Sequence, residues 1–260
     1  MEKVNDFQQR LRGRVLGALD RGMRVDHGRR NRLAMELMSQ AQERQAYLDS
    51  LLGEGFNIKS PKQMADFFYR QMGLKPIIDK KSGGVTTNDA ALTTIGQREP
   101  ILLPITKRIS ELRSLGVFHS TFIGAALDVD GRMRTDYNVG GTETYRFNSR
   151  QNAFGTGMNM QNTPKGGLDE ETGLYLPNIR ELFIPDLGKM IWDIDLDSAD
   201  LRIVTWESDC QWMKAQFKAG KKPYVEIMKE YYQDDSKSKN SPEYKIFKSL
   251  CHGTNYLGVS

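Results

Sequence analysis

The first 127 residues carry apolar side chains at intervals of three and four, punctuated by helix-capping residues, and this pattern restricts the N-terminal half to packed helices. In residues 1 to 20, Val4, Phe7, Leu11, Val15 and Leu19 share one helical face, and Gly22 interrupts it ahead of a short turn, GMRVD. Asp26 is placed to cap a second helix, which Gly53 and Gly55 stop near Leu52. Ser60 followed by Pro61 is an N-cap and first-turn pair, and Gly73 ends the helix it starts. The stretch LKPIIDKKSGGVTT, with Lys75, Lys80 and Lys81, is a basic loop that suits either a solvated turn or a phosphate-contacting tip. A long helical segment is predicted from Pro100 to Leu127.

The pattern then changes. In DVDGRMRTDYNV, Met133, Thr135 and Tyr137 alternate with polar neighbours, as in a turn leading into a strand. From there to Pro185 the chain loses apolar periodicity and is rich in Asn, Gly, Thr and Pro. Unstructured connections longer than about 15 residues are uncommon in compact domains unless they are functional or disordered. Arg146, Asn148, Ser149, Arg150, Asn159, Gln161 and Asn162 give this segment amide and guanidinium groups able to read phosphates and base edges, although turn-forming Asn in a surface loop explains the same composition. KMIWDIDLD, at 189–197, has the strongest strand pattern of the chain, a buried run ending in Asp193, Asp195 and Asp197. Ser198 opens a helix, two more are expected near 211–219 and 223–232, and Ser241 with Pro242 starts a last one. On that last helix Lys248, His252 and Tyr256 recur every four residues and share a face. The fold class expected is α+β, predominantly helical.

Composition narrows the classes. A net charge of +4, from 37 Lys and Arg against 33 Asp and Glu, does not by itself diagnose nucleic-acid binding, because the clustering of the charges decides that. Cys210 and Cys251 are far apart and the 3 histidines are scattered, which argues against a disulfide framework or a zinc site. No apolar run approaches the roughly 20 residues of a membrane span, and the N-terminus is polar, so the expectation is a soluble intracellular protein, cytoplasmic rather than secreted. Residues i and i+2 of a strand face the same side, so Asp195 and Asp197 are candidates for one divalent cation such as magnesium. Solvated carboxylates capping the next helix are the alternative, and a DxD at a strand end also occurs in sugar-nucleotide transferases.

Taken together, three segments resemble the family A DNA polymerases, the family of bacterial DNA polymerase I and many phage replicases. Thr142-Glu-Thr-Tyr-Arg146-Phe-Asn-Ser149 with Asn159-Met-Gln161-Asn162-Thr-Pro164 looks like the family's TxTGRLSS and NLQNIP. Arg180-Glu-Leu-Phe-Ile-Pro and Asp195-Leu-Asp-Ser-Ala-Asp200-Leu-Arg202 are similar to RxxFxP and DYSQIELR. Lys248-Ser-Leu-Cys-His252-Gly253-Thr-Asn-Tyr256 resembles KxxNFGxxY of the fingers helix, and GMRVD, FNIKSPKQM, GGVTT and HSTF look like thumb sequence. The resemblance implies part of a right-hand fold: a helical thumb over 1–128, a partial palm over 129–205, and the start of helical fingers over 206–260.

The resemblance also implies roles. Asp195 would bridge two magnesium ions, with the carbonyl of Leu196 as a further ligand, and Lys248 would meet the triphosphate of an incoming deoxynucleotide. Asp200 matches a glutamate that guards the sugar's 2′ position, and Tyr256 would sit against the nascent base pair. Thr142, Arg146, Asn159, Gln161 and Asn162 belong to the primer-template contacts, with Arg146, Gln161 and Asn162 in the minor groove. This sequence departs from the family pattern at several positions. His252 replaces a phenylalanine, Tyr244 an arginine, Tyr145 a glycine, Asp200 a glutamate and Asp197 a serine, while Tyr224 in GKKPY stands where the family has a histidine. Phage enzymes with an HxTNY fingers helix look closest. The family's second metal-binding aspartate, in a His-Asp-Glu motif, has no counterpart before Ser260. The expectation is therefore an incomplete chain that binds primer-template DNA and, by itself, extends it little or not at all. A DNA-binding fragment or one piece of a split polymerase, completed by a missing C-terminal portion, is the alternative.

Overall fold

The computed structural model describes residues 4–139, 141, 142, 146–169 and 172–257, with the side chains of 4, 5 and 254–257 excepted. The elements are α1 (Val4–Arg21), β1 (Met23–Val25), α2 (His27–Leu52), α3 (Pro61–Ala65), α4 (Asp89–Arg98), α5 (Leu103–Phe118), β2 (Arg132–Met133), β3 (Asp136–Asn138), β4 (Asn148–Arg150), β5 (Gly167–Leu168), β6 (Tyr175–Leu176), β7 (Phe183–Ile184), α6 (Ala199–Glu207), α7 (Gln211–Lys218), α8 (Pro223–Tyr232) and α9 (Tyr244–Leu257). They form two compact units, Met1–Ile191 and Trp192–Ser260.

Cap chemistry sets the helix boundaries of the first unit. The Asp26 carboxylate accepts the Arg29 N–H at 2.9 Å and starts α2, and Gly53, at φ 87°, ends it. Ser60 accepts the Gln63 N–H at 3.3 Å ahead of Pro61, and Asn88 accepts the Ala91 N–H at 2.9 Å ahead of α4. Two apolar cores follow. Leu48, Met64, Phe68, Leu92, Ile95 and Ile109 make one, and Val25, Leu37, Leu115, Phe118, Met133, Ile179 and Leu182 belong to the other. Helices α2 and α5 each contribute to both cores and so join them.

GMRVD, read from sequence as a turn, instead supplies β1, the centre of a 3-stranded sheet in the order β2-β1-β7. Arg24 is the register residue on both sides, opposite Arg132 and Ile184. A turn in the sequence becomes a strand because two distant segments arrive to take its hydrogen bonds. The sheet thus joins segments on both sides of residue 128 within one unit. The helix predicted to Leu127 is shorter, since α5 passes into a π-helical turn, His119–Ile123, capped by Gly124. Arg30 then satisfies the carbonyls of Ile123 at 2.7 Å and Ala125 at 2.6 Å, where helix has ended and no sheet has begun.

The predicted strand over 189–197 does not form. Residues 189–196 have no regular structure, and Trp192 and Ile194 are 75% and 83% exposed. Among the described residues no segment pairs with this stretch. An apolar run holds a strand only when neighbours take its backbone edges and cover its faces.

In the second unit α6, α7, α8 and α9 pack on a core of Leu201, Phe217 and Tyr224, with Met213, Tyr244 and Cys251 against it. Beside it, Phe247 of α9 meets Tyr231 and Tyr232 of α8 at ring separations of 5.6 and 5.9 Å. Ser198 precedes α6 in the left-handed region, at φ 54°, which turns the chain sharply out of the aspartate segment without a side-chain cap.

One ion cluster of the first unit yields a stability test. Glu111, 4% exposed, receives Arg44 at 2.7 Å and Arg108 at 2.6 Å. Replacing Glu111 with Ala leaves the half-sequestered Arg44 guanidinium uncompensated, and urea denaturation is expected to show a loss of about 2–4 kcal/mol. A change under about 0.5 kcal/mol would show that solvent already carries that charge.

Candidate functional site

Two sequence-predicted clusters come together within the second unit. A cavity of about 610 Å³ is lined by the segment Ile194–Leu201, by Lys222 and Tyr224 at the start of α8, and by Tyr244, Lys248 and His252 along one side of α9. Asp195, Leu196, Asp200, Lys248 and His252 therefore share one wall-to-wall space, though roughly fifty positions separate the two motifs. Tyr256 lies one turn further along α9, and its side chain is outside the described residues.

The packing beneath the cavity explains its geometry. Tyr224 is 2% exposed, and its hydroxyl lies 3.2 Å from His252 Nε2. Its ring meets Tyr244 edge-on at 6.3 Å and His252 at 5.7 Å. That single side chain fixes the start of α8 against α9. Also lining the cavity, Lys222 Nζ donates to Asp197 Oδ1 at 2.6 Å. Arg202 Nε donates to the Asp197 carbonyl at 2.9 Å, and the same guanidinium lies 4.3 Å above the Phe217 ring. The hydrogen bond from Lys222 holds the Asp197 carboxyl below the usual carboxylate range, and Asp197 in turn raises Lys222.

The sequence reading offered Asp197 as a partner for Asp195 at a cation, and this contact engages its carboxylate with lysine instead. Among the described residues no group of three His, Cys, Asp or Glu side chains is assembled to hold a metal ion. Asp195 and the Leu196 carbonyl alone do not fit a two-ion magnesium site, which needs carboxylates on both ions. Lys222 is the lining residue that the sequence reading missed. Its only local signal was a basic pair, Lys221 and Lys222, ahead of a helix-starting proline.

The other cluster lies in the first unit. Asp136, Tyr137 and Asn138 of β3 pair with Arg150, Ser149 and Asn148 of β4. The Ser149 hydroxyl donates to Asn159 Oδ1 at 2.5 Å, and Asn159 Oδ1 also accepts the Gln161 N–H at 3.2 Å, so Asn159 caps the single 3₁₀ turn Met160–Asn162. Gln161 and Asn162 are exposed on that turn, and Arg146 is exposed beside the hairpin. Thr142 Oγ1 donates to the Arg146 carbonyl at 2.9 Å. Thr142, Asn159 and Ser149 thus order a surface on which Arg146, Gln161 and Asn162 are accessible. Tyr145, at the family's glycine position, lies outside the described residues.

The model of the family described as DNA polymerase family A matches residues 28–260. The chain belongs to DNA polymerase family A. It is 29% identical over 196 residues to DNA polymerase I of Bacillus subtilis, covering 73% of this chain and 20% of that protein. It is 28% identical over 206 residues to DNA polymerase I of Geobacillus stearothermophilus, covering 77% and 22% respectively. The chain thus spans about a fifth of the length of these curated relatives. A solved structure, the POL domain of Pol1 from M. smegmatis in complex with DNA primer-template and dNTP, matches with a TM-score of 0.66 at 21% identity, over 89% of this chain and 39% of that one. That likeness shows a shared fold.

The Tyr224 contact can be tested directly. Tyr224→Phe keeps the buried ring and deletes the hydroxyl facing His252, and a loss of about 1 kcal/mol in unfolding free energy is expected, with a shift of the His252 ring resonances in NMR. Unmoved His252 resonances would show that the hydroxyl does not hold the imidazole.

Proposed function

We propose that this chain is the thumb (1–128), part of the palm (129–205) and the start of the fingers (206–260) of a DNA-directed DNA polymerase. Its work is the template-directed addition of deoxynucleotides to a primer 3′ end in DNA replication. The observation that carries this reading is the cavity shared by Asp195, Asp200, Lys248 and His252. A lysine ammonium suits a triphosphate as a point charge, while Asp200 and Tyr256 match the family's sugar-guarding glutamate and its tyrosine at the nascent base pair. Arg146, Gln161 and Asn162 take the minor groove of primer-template DNA, where acceptors common to every base pair permit contact independent of sequence. Lys75, Lys80 and Lys81 are exposed around a turn in which Asp79 accepts the N–H groups of Lys81 at 2.9 Å and Ser82 at 2.8 Å.

Magnesium is the cofactor of the proposed reaction, with Asp195 and the Leu196 carbonyl as this chain's contribution to its shell. One carboxylate is too few for two ions, so the 260-residue polypeptide by itself is expected to bind primer-template DNA and to extend it little or not at all. Among the described residues no helix is long and apolar enough to cross a membrane, and the proposed place of action is the cytoplasm of a bacterial or phage-infected cell.

Fluorescence anisotropy with primer-template DNA tests the interface. Arg146→Ala is expected to weaken binding across a salt series, and an unchanged affinity at every salt concentration would reject the minor-groove role. Lys248→Ala is expected to lower deoxynucleoside triphosphate affinity roughly tenfold while sparing DNA affinity. Equal loss of both would make α9 a structural element. Strong magnesium-dependent extension by the chain alone would overturn the claim that its metal site is incomplete.

A further inference from the structure

We infer that Lys222 is a second phosphate-binding cation of the cavity, held by Asp197 until a nucleotide's phosphates take its ammonium. This rests on the reading of the cavity as a nucleotide site and adds a residue to it.

The cavity's charges pose the problem. Asp195, Asp197 and Asp200 all line it, and a polyphosphate entering beside three carboxylates meets strong like-charge repulsion. Lys248 on α9 offsets part of that. Tyr224, the neighbouring candidate at the start of α8, contributes no cation, and its hydroxyl faces His252 from a buried ring. Lys221 turns elsewhere, to Glu226 at 3.1 Å, and does not line the cavity. Lys222 does line it, with a side chain 36% exposed.

Its present partner can release it cheaply. The Lys222–Asp197 pair is open to solvent, with Asp197 56% exposed, and such pairs stabilise little. Asp197 also has a second cation, the Arg202 guanidinium, whose Nη2 lies 3.8 Å from Oδ2 while its Nε holds the Asp197 carbonyl at 2.9 Å. When Lys222 leaves, Asp197 keeps Arg202, and Lys222 exchanges one carboxylate for phosphate oxygens that carry more charge. The ion pair therefore keeps an ammonium pointed into the cavity and neutralises one of the repelling carboxylates.

Titration calorimetry of the 260-residue chain with inorganic tripolyphosphate, and separately with dATP, tests this. Lys222→Ala is expected to weaken tripolyphosphate roughly tenfold, and Asp197→Asn to tighten it a few-fold by freeing the ammonium. Lys221→Ala should change nothing. Opposite signs for the Lys222 and Asp197 variants separate a phosphate ligand from a structural ion pair, whose two halves would lose binding together. Should Lys222→Ala fail to fold by circular dichroism, Lys222→Gln and Asp197→Asn carry the same test. Weakening by Lys248→Ala with no effect of Lys222→Ala would overturn the inference and leave the nucleotide site standing. If neither ligand binds the wild-type chain, or neither lysine matters, both the inference and the nucleotide reading fall.

Discussion

The side chain of Tyr224 is the contact on which the site depends. Its ring fills the space between Leu201 of α6 and Phe217 of α7, and its hydroxyl reaches His252 of α9. Four helices with short, partly polar apolar faces would otherwise share little core. Burying this one large ring joins them, and its polar end finds a partner at the cavity floor. The result is geometric: the aspartate segment before α6, the start of α8 and the lysine face of α9 are held around one space. A histidine at this position would leave more of the interior unfilled, so the tyrosine serves packing, and the cation facing the cavity from α8 is Lys222.

In the first unit arginines take over where regular hydrogen bonding stops. Arg30 binds the carbonyls released after the π-helical turn, and Arg132 binds the carbonyls of Arg21 and Gly22 together with Asp186. Arg134 spans Asp128 and Asp130, and these hydrogen bonds hold the Asp130 carboxyl down to about 2. Each guanidinium offers several donors in a fixed plane, which lets it satisfy irregular backbone that neither helix nor sheet can. Such anchoring allows a loop-rich region to present exposed Arg146, Gln161 and Asn162 from a defined surface rather than a loose one.

Local chemistry made part of this legible in the sequence. Asp26, Ser60 with Pro61, and Gly53 announce helix boundaries because capping depends on residues within one turn of each other. The helices near 211–219 and 223–232 lack a side-chain cap, and their local apolar spacing made them readable instead. The alternation over 133–137 does meet β2 and β3, but other strands were not legible, because their partners lie far along the chain: β1 looks like a turn until 132–133 and 183–184 flank it. The run at 189–197 looks like a buried strand yet lacks any described neighbour to make it one. In the site, Asp195, Asp200, Lys248 and His252 could be named from the resemblance to the family's motifs, whereas Lys222 could not, since its meaning lies in the distance to Asp197 and not in the sequence around it.

The central claim is that the cavity between the aspartate segment, α8 and α9 receives a nucleotide. Photolabelling the chain with an azido-deoxyadenosine triphosphate, followed by peptide mapping, tests it most directly. The account predicts label confined to the segments around 194–201, 222–224 and 244–252, and competed away by unlabelled dATP. Competable label concentrated instead in the first unit, or label that dATP does not displace, would contradict it.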